Sequence, residues 1–294
     1  MKTADQVAPD HHLMRFNTFA EYIAHNEEHD YRTPYMDEGR GFYGVDSMQE
    51  AFDLARTGLP REGIKALGTA ATKVEETERE LMIPRFHPFN TVDGADVDVA
   101  RYLSGEPENM IGYYLDDAPG IRRVATLVVS IAYSAAISTK TITQRGHAIM
   151  ALLEAIERTG IQTEIWADKT TSDSYDRHGG NPVPYGASTI RQSIRIKAPG
   201  ELFDPSTFMY VFTHASMLRA LGFNTMHSFP KHLHDQFGIP GGGMGYPVTK
   251  EYRLEDYPEG AIFIPSIRTD EEPTKIYQNT LRKLGLLTPE GLPA

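Results

Sequence analysis

The chain has 294 residues, 40% hydrophobic and 23% charged, which are ordinary globular values with length enough for one large domain or two small ones. A formal net charge of −11 argues against a dominant, sequence-independent nucleic-acid binder, and the absence of cysteine excludes disulfides, thiolate catalysis and zinc–thiolate sites. No run approaches the ~18 apolar residues of a spanning helix, and the start MKTADQVAPDHHLMRF has no signal-peptide core, so a soluble intracellular protein is expected.

The first third reads as mostly helical. His11 and His12 are expected in a mobile N-terminus, and Phe16 to Ala24 places Phe16, Phe19 and Ile23 on one helix face. Residues 26–41 are polar and read as a loop. Ser47 with Glu50 forms a capping box; Met48, Ala51, Phe52 and Ala55 make the apolar stripe, and Gly58 ends the helix. A longer helix is expected from Glu62 to Met82, its glutamate run a solvated face, with Pro84 as the stop. Asp98 to Leu103 reads as one more short helix before Gly105. This helical N-terminal region, 1–109, precedes an α/β domain, 110–294.

From Met110 the period changes. Met110 to Leu115 reads as a short strand, and the apolar run Val124 to Ile131 as a strand covered on both faces. Helix Thr143 to Arg158 turns Ile142, Gly146, Ile149, Leu152, Leu153 and Ile156 toward the sheet, with Gly146 permitting close approach and Gly160 as the stop. Gln162 to Ala167 is the second strand, parallel to the first, and Lys169 to Ala187 a long polar loop. Ile190 to Lys197 alternates, so a half-exposed antiparallel edge strand is expected. Its Arg191, Arg195 and Lys197 read as edge protection or as contacts to a phosphate or acidic partner. Asp204 and Pro205 open a helix that runs to Leu221 and closes at Gly222; Ala261 to Ile267 is a further strand, and a last helix begins at Pro273.

From Val124 onward this order resembles the von Willebrand factor A-like fold: a doubly wound, mostly parallel sheet with an antiparallel edge strand. The stretches DVDVARYLSGEPENM, RGHAIMALLEAIERTGIQTEIW and ASMLRALGF also resemble a family of tailed-bacteriophage proteins with no established activity. In A-type domains the first strand ends in Asp-x-Ser-x-Ser, which holds a divalent metal. Here Ser130 takes the Asp position, Ala132 the first Ser and Ser134 the second, and later ligands would fall to Thr170 and Asp173. The resemblance implies a degenerate, metal-free site, and no cofactor is expected.

Open α/β sheets bind ligands beyond the carboxyl ends of their strands. The expected function is a phage-encoded, non-enzymatic protein-binding or assembly module in the host cytoplasm, its partner a phage or host protein. Its binding rim runs over Ser130 to Lys140 and Asp168 to Tyr185. Tyr133 and Tyr175 are the candidate anchors, oriented by Ser130, Ser134, Asp168, Ser172 and Asp173. One alternative is a nucleic-acid-associated accessory factor of phage transcription or replication, using Arg191, Arg195 and Lys197. Another is a metal-dependent hydrolase on His227, His232, His234 and Asp235, although MHSFPKHLHDQFG offers no clear helix or strand to orient those ligands. Gly241 to Gly245 lacks the Lys-Ser/Thr of a phosphate loop and reads as a flexible linker or tight turn.

Overall fold

The computed structural model describes residues 4–31, 39–77, 86–115, 124–133, 137–158, 160–176, 181–182, 188–239 and 244–266. The chain opens with a hairpin, β1 (Asp5–Ala8) and β2 (His11–Phe16), followed by helices α1 (Phe19–Glu28), α2 (Gly39–Tyr43), α3 (Met48–Thr57) and α4 (Pro60–Thr77). A small module follows, built of β3 (Phe86–Thr91), β4 (Asp96–Val97), α5 (Val99–Ser104) and β5 (Met110–Leu115). Then come β6 (Val124–Ser130), α6 (Thr139–Arg158), β7 (Gln162–Ser172), β8 (Tyr175–Asp176), β9 (Asn181–Pro182), β10 (Thr189–Lys197), α7 (Pro205–Thr213), α8 (Phe223–Met226), α9 (Lys231–Phe237), β11 (Tyr246–Pro247) and β12 (Ile262–Ile264). The helix expected from Pro273 lies outside the described residues.

The main sheet runs β1-β2-β10-β7-β6-β12, with β11 added beside β7. Strand β6 is parallel to β7 and β12, β2 is parallel to β10, and β10 is antiparallel to β7. The ladders β1–β2 and β11–β7 are antiparallel as well, so the fold is mixed α/β around a mixed sheet with a parallel centre of β7, β6 and β12. The β6–α6–β7 unit stands as expected, and Gly160 follows α6 with φ +83°.

Two expectations about this sheet are corrected. Strand β10 is not an edge: β2 pairs along its other side, with Thr189 opposite His11 and Ile194 opposite Phe16. His11, His12 and Phe16 are thus strand residues, and α1 starts later, where the Thr18 hydroxyl accepts from the Glu21 amide. Strand β7 also runs past Ala167 to Ser172. Its polar end, expected as loop, is paired by β10 on one side and β11 on the other. Tertiary pairing supplies the hydrogen bonds that the local composition gave no sign of.

Alternation sets the two faces. On the helical face, Met14, Phe16, Leu127, Ile165, Ile190 and Ile194 join Leu152, Leu153 and the helices in one core. Gly146 does permit close approach, but to α7: a Cβ there would stand 2.2 Å from Thr213 Cγ2. The helix begun by the Asp204 cap breaks at His214 and resumes as a π turn over Met217–Gly222, so the expected continuous helix is corrected. The His214 imidazole, at 3.3 Å from the Ser216 amide and 2.8 Å from its hydroxyl, competes there with the helix ladder. On the other face, Val128, Trp166, Tyr257, Ala261 and Phe263 form a smaller cluster.

The module 86–115 has its own three-stranded sheet with β5 in the centre. None of its residues 88–113 is buried. Its order comes from pairing and caps: Phe89 covers Gly112, where a Cβ would stand 2.7 Å from the ring, and Asp98 accepts from the Ala100 and Arg101 amides.

Candidate functional site

Strand register places Arg191 opposite Thr170 and Ser193 opposite Asp168, and a buried charge cluster grows from these positions. The Arg191 guanidinium is 1% exposed. Its Nε lies 2.9 Å from Asp168 Oδ2 and 2.8 Å from Thr170 Oγ1. Nη1 donates to the Arg253 carbonyl at 2.9 Å and to Asp256; Nη2 donates to the Tyr252 carbonyl at 2.5 Å. The Tyr257 hydroxyl donates to Asp168 at 2.7 Å, and the guanidinium lies over the Tyr252 and Tyr257 rings. Burial, then the Asp168 charge, pushes the Tyr257 phenol well above its ordinary range. Burial works against the charged form of Asp256. The His11 hydrogen bond and the Arg191 charge outweigh it and hold this carboxyl below the usual carboxylate range.

His11 Nε2 is 3.0 Å from Asp256 and its Nδ1 is 2.7 Å from the Thr189 hydroxyl. The connectivity Thr189–His11–Asp256 is that of a nucleophile, base and carboxylate. Thr189 and His11 are nevertheless both fully buried, so no substrate reaches the hydroxyl. The cluster instead fastens the segment 252–257 across the sheet.

This places most of the expected rim inside the molecule. Ser130 and Asp168 are brought together as a cross-strand pair, but both are buried. Tyr133, expected as a surface anchor, is buried beside α6. Its hydroxyl accepts from Arg145 at 2.5 Å under a guanidinium stacked on the ring, the polar partner that lets a phenol enter a core. Ser172 is fully buried and accepts from the Ser174 amide. Asp173 is half-buried; its amide donates to the Ser188 carbonyl. Ser134 and the side chain of Tyr175 lie outside the described residues, as do 240–243 of the glycine-rich run. Thr170 is spent on Arg191.

The histidines do have a helix, since α9 carries His232 and His234. They point to different neighbours: His232 meets the His12 ring at 5.7 Å and His234 meets the His227 ring at 6.2 Å. Among the described residues no group of three or more His, Asp or Glu is placed to hold a metal ion.

Arg195, and Lys197 beyond a bulge at the end of β10, border a half-open groove of about 710 Å³. It lies beyond the carboxyl ends of β2 and β10, with Phe19, Ile23, Ile196 and Phe203 in its lining. Arg195 donates from Nε to the Asn17 carbonyl at 2.9 Å, and its side chain is 30% exposed. Lys197 is buried, with Nζ 2.9 Å from Glu157 and 3.1 Å from the Thr163 carbonyl.

One surface was missed from sequence. On α5 the positions i, i+3 and i+4 are Val99, Tyr102 and Leu103, exposed by 64%, 64% and 78%. Phe89, Val97 and Tyr113 on the adjoining strands are exposed as well. The apolar spacing was visible, but it reads as a core-facing stripe.

Together these features define a mixed α/β protein with a closed polar seam at one end of its sheet, a groove at the other, and a projecting apolar arm. The chain belongs to the family described as a domain of unknown function (DUF7192), whose model matches residues 3–288. Comparison with curated proteins and with solved structures finds no match. Among the described residues no helix is long and apolar enough to cross a membrane.

Proposed function

We propose that this protein is a non-enzymatic binding or assembly module that docks on a protein partner through the arm 86–115. One observation carries the reading: the arm has no buried residue over 88–113, yet displays Phe89, Val97, Val99, Tyr102, Leu103 and Tyr113 to solvent. Apolar side chains gathered on a projecting element mark contact surfaces. The burial of Thr189, His11 and Asp168 favours binding over chemistry at the polar seam. The nucleic-acid reading loses its centre, because Arg191 is consumed within the sheet.

The strand order β10-β7-β6-β12, with β10 antiparallel to β7, supports an A-like sheet whose metal-anchoring position is occupied by Ser130. The resemblance of residues 96–110 and 145–166 to tailed-phage proteins supports a phage-encoded role in the host cytoplasm.

A photoreactive side chain tests this. Placed at position 103, it should crosslink a polypeptide in producing cells. Placed at position 64, where Ile64 is 73% exposed outside the arm, it should not. Equal crosslinking at both positions, or none at 103, removes the arm as the docking element.

A further inference from the structure

We infer that α9 is an acid-released latch, closed on β2 while His12 and His232 are neutral and swung away from the sheet when they take up protons. Both histidines of this helix face a histidine of another element. His232 meets His12 of β2 edge to face, with ring centroids 5.7 Å apart, and His234 meets His227 at the end of α8, at 6.2 Å. The first pair is asymmetric. His12 is 4% exposed, and among the described residues its Nδ1 meets no hydrogen-bond partner, whereas His232 lies at the surface. Nothing beside His12 offsets a proton there. β1 places Gln6 opposite it and β10 places Ile190. The charges that act on it are those of His232 and His11, both of its own sign. Asp256 is held by His11 and Arg191 on the opposite face of the strand. Around the second pair stand Tyr31, stacked on His227, and then His29 and His25, with the exposed Glu28 3.8 Å from His29. On α9 itself Lys231 and Asp235 are exposed.

The helix is built to move as a unit. It has seven residues, starts after Pro230 without a side-chain cap and ends at Gly238, with φ +65°. Its buried side chains are Leu233 and Phe237, and the Gly245 amide donates to the Phe237 carbonyl at 2.9 Å. A short element with so few buried side chains opens at a lower free energy than the whole fold. Opening returns His12 to water and parts it from His232, which removes both causes that oppose its charged form. In the closed form burial, and then the His232 charge, hold His12 below 6.5. Closure is therefore complete above that value and weakens as pH falls through it, by up to about tenfold in the opening equilibrium per pH unit for one proton. Release uncovers the apolar sites of Leu233 and Phe237, so the protein presents in acid a contact surface that it hides at neutral pH.

Hydrogen–deuterium exchange of the full chain at pH 7 and pH 5, expressed as protection relative to the intrinsic rate at each pH, tests this. Protection over residues 231–237 should fall at least about tenfold at the lower pH, while β7 and β10 keep theirs. Position 232 is exposed, so its variants retain the fold. The fall should be as large in His232→Lys as in the native chain, smaller in His232→Gln, and smallest in His232→Glu, which sets an anion beside His12. His12→Gln should remove it. Unchanged protection of α9 between the two pH values overturns the inference. So does an equal fall across α9, β7 and β10, which is global unfolding, or a fall of the same size in His232→Lys, His232→Gln and His232→Glu.

Discussion

At the scale of single residues, Arg191 joins two strands to the segment that covers them. It touches Asp168 and Thr170 on β7 and the carbonyls of Tyr252 and Arg253 in the covering segment. Removing one partner from a buried pair leaves the other charge unsolvated, so Arg191→Met should lose about 3–5 kcal/mol in a denaturant melt. Arg191→Lys should not restore it, because an ammonium has three donors and no planar fork to reach these separated acceptors. Wild-type stability in the lysine variant would show that charge alone matters. The same cluster sets an acid limit. Asp256 is held below its ordinary value of 3.8, so its contribution is complete above the unfolded value and is lost as pH falls through the folded one. His12 works in a higher window. Burial, and then the His232 charge, depresses its imidazole below 6.5, so the folded state resists the proton that the unfolded chain takes up. Stability should therefore decline first as pH drops below 6.5 and again in the carboxylate range. His12→Gln should flatten only the first decline in a pH series of melts. A native profile level from pH 7 to 5 would contradict this.

At the scale of elements, the contact between α6 and α7 is governed by one missing atom. Alanine is about 1 kcal/mol better than glycine inside a helix, yet a Cβ at Gly146 would stand 2.2 Å from the Thr213 methyl. Gly146→Ala should therefore destabilise by about 1–3 kcal/mol, as overpacking does. Adding Thr213→Ser removes that methyl but keeps the hydroxyl that bonds the Met209 carbonyl, and should recover most of the loss. A double-mutant cycle reads this coupling directly. A stabilised Gly146→Ala protein would mean that the helices separate at no cost. Element pairing also explains the basic strand. The stripe Arg191, Ser193, Arg195 alternates as expected, but β2 pairs the edge and the segment 252–257 covers the face at Arg191.

At the scale of the whole molecule, the arm is an addition to the sheet rather than part of its core. Pro88 and Tyr113 are cross-strand partners, so their backbones lie side by side. Replacing 89–112 by a short Gly-Ser turn should leave the melting temperature and cooperativity of the remainder unchanged, because no buried residue is removed over that stretch. A large fall in melting temperature would show that the arm supports the core.

What the sequence determined by itself was local. The capping pair Ser47–Glu50, the Asp204 cap, the glycine at 160, the buried face of α6 and the parallel pair β6–β7 all follow from hydrogen-bonding side chains and periodicity within a few turns. Of the candidate site, the alternation of β10 and the end of β6 at Ser130 were legible. Their burial was not, because burial depends on what lies across the sheet. Only the tertiary structure brought His11 beside Thr189 across 178 residues and Asp256 against Arg191 across 65, turning an expected binding rim into a closed polar seam. The arm shows the converse. Val99, Tyr102 and Leu103 carry the spacing of a core stripe, and exposure follows from the absence of a neighbour, which no local pattern encodes.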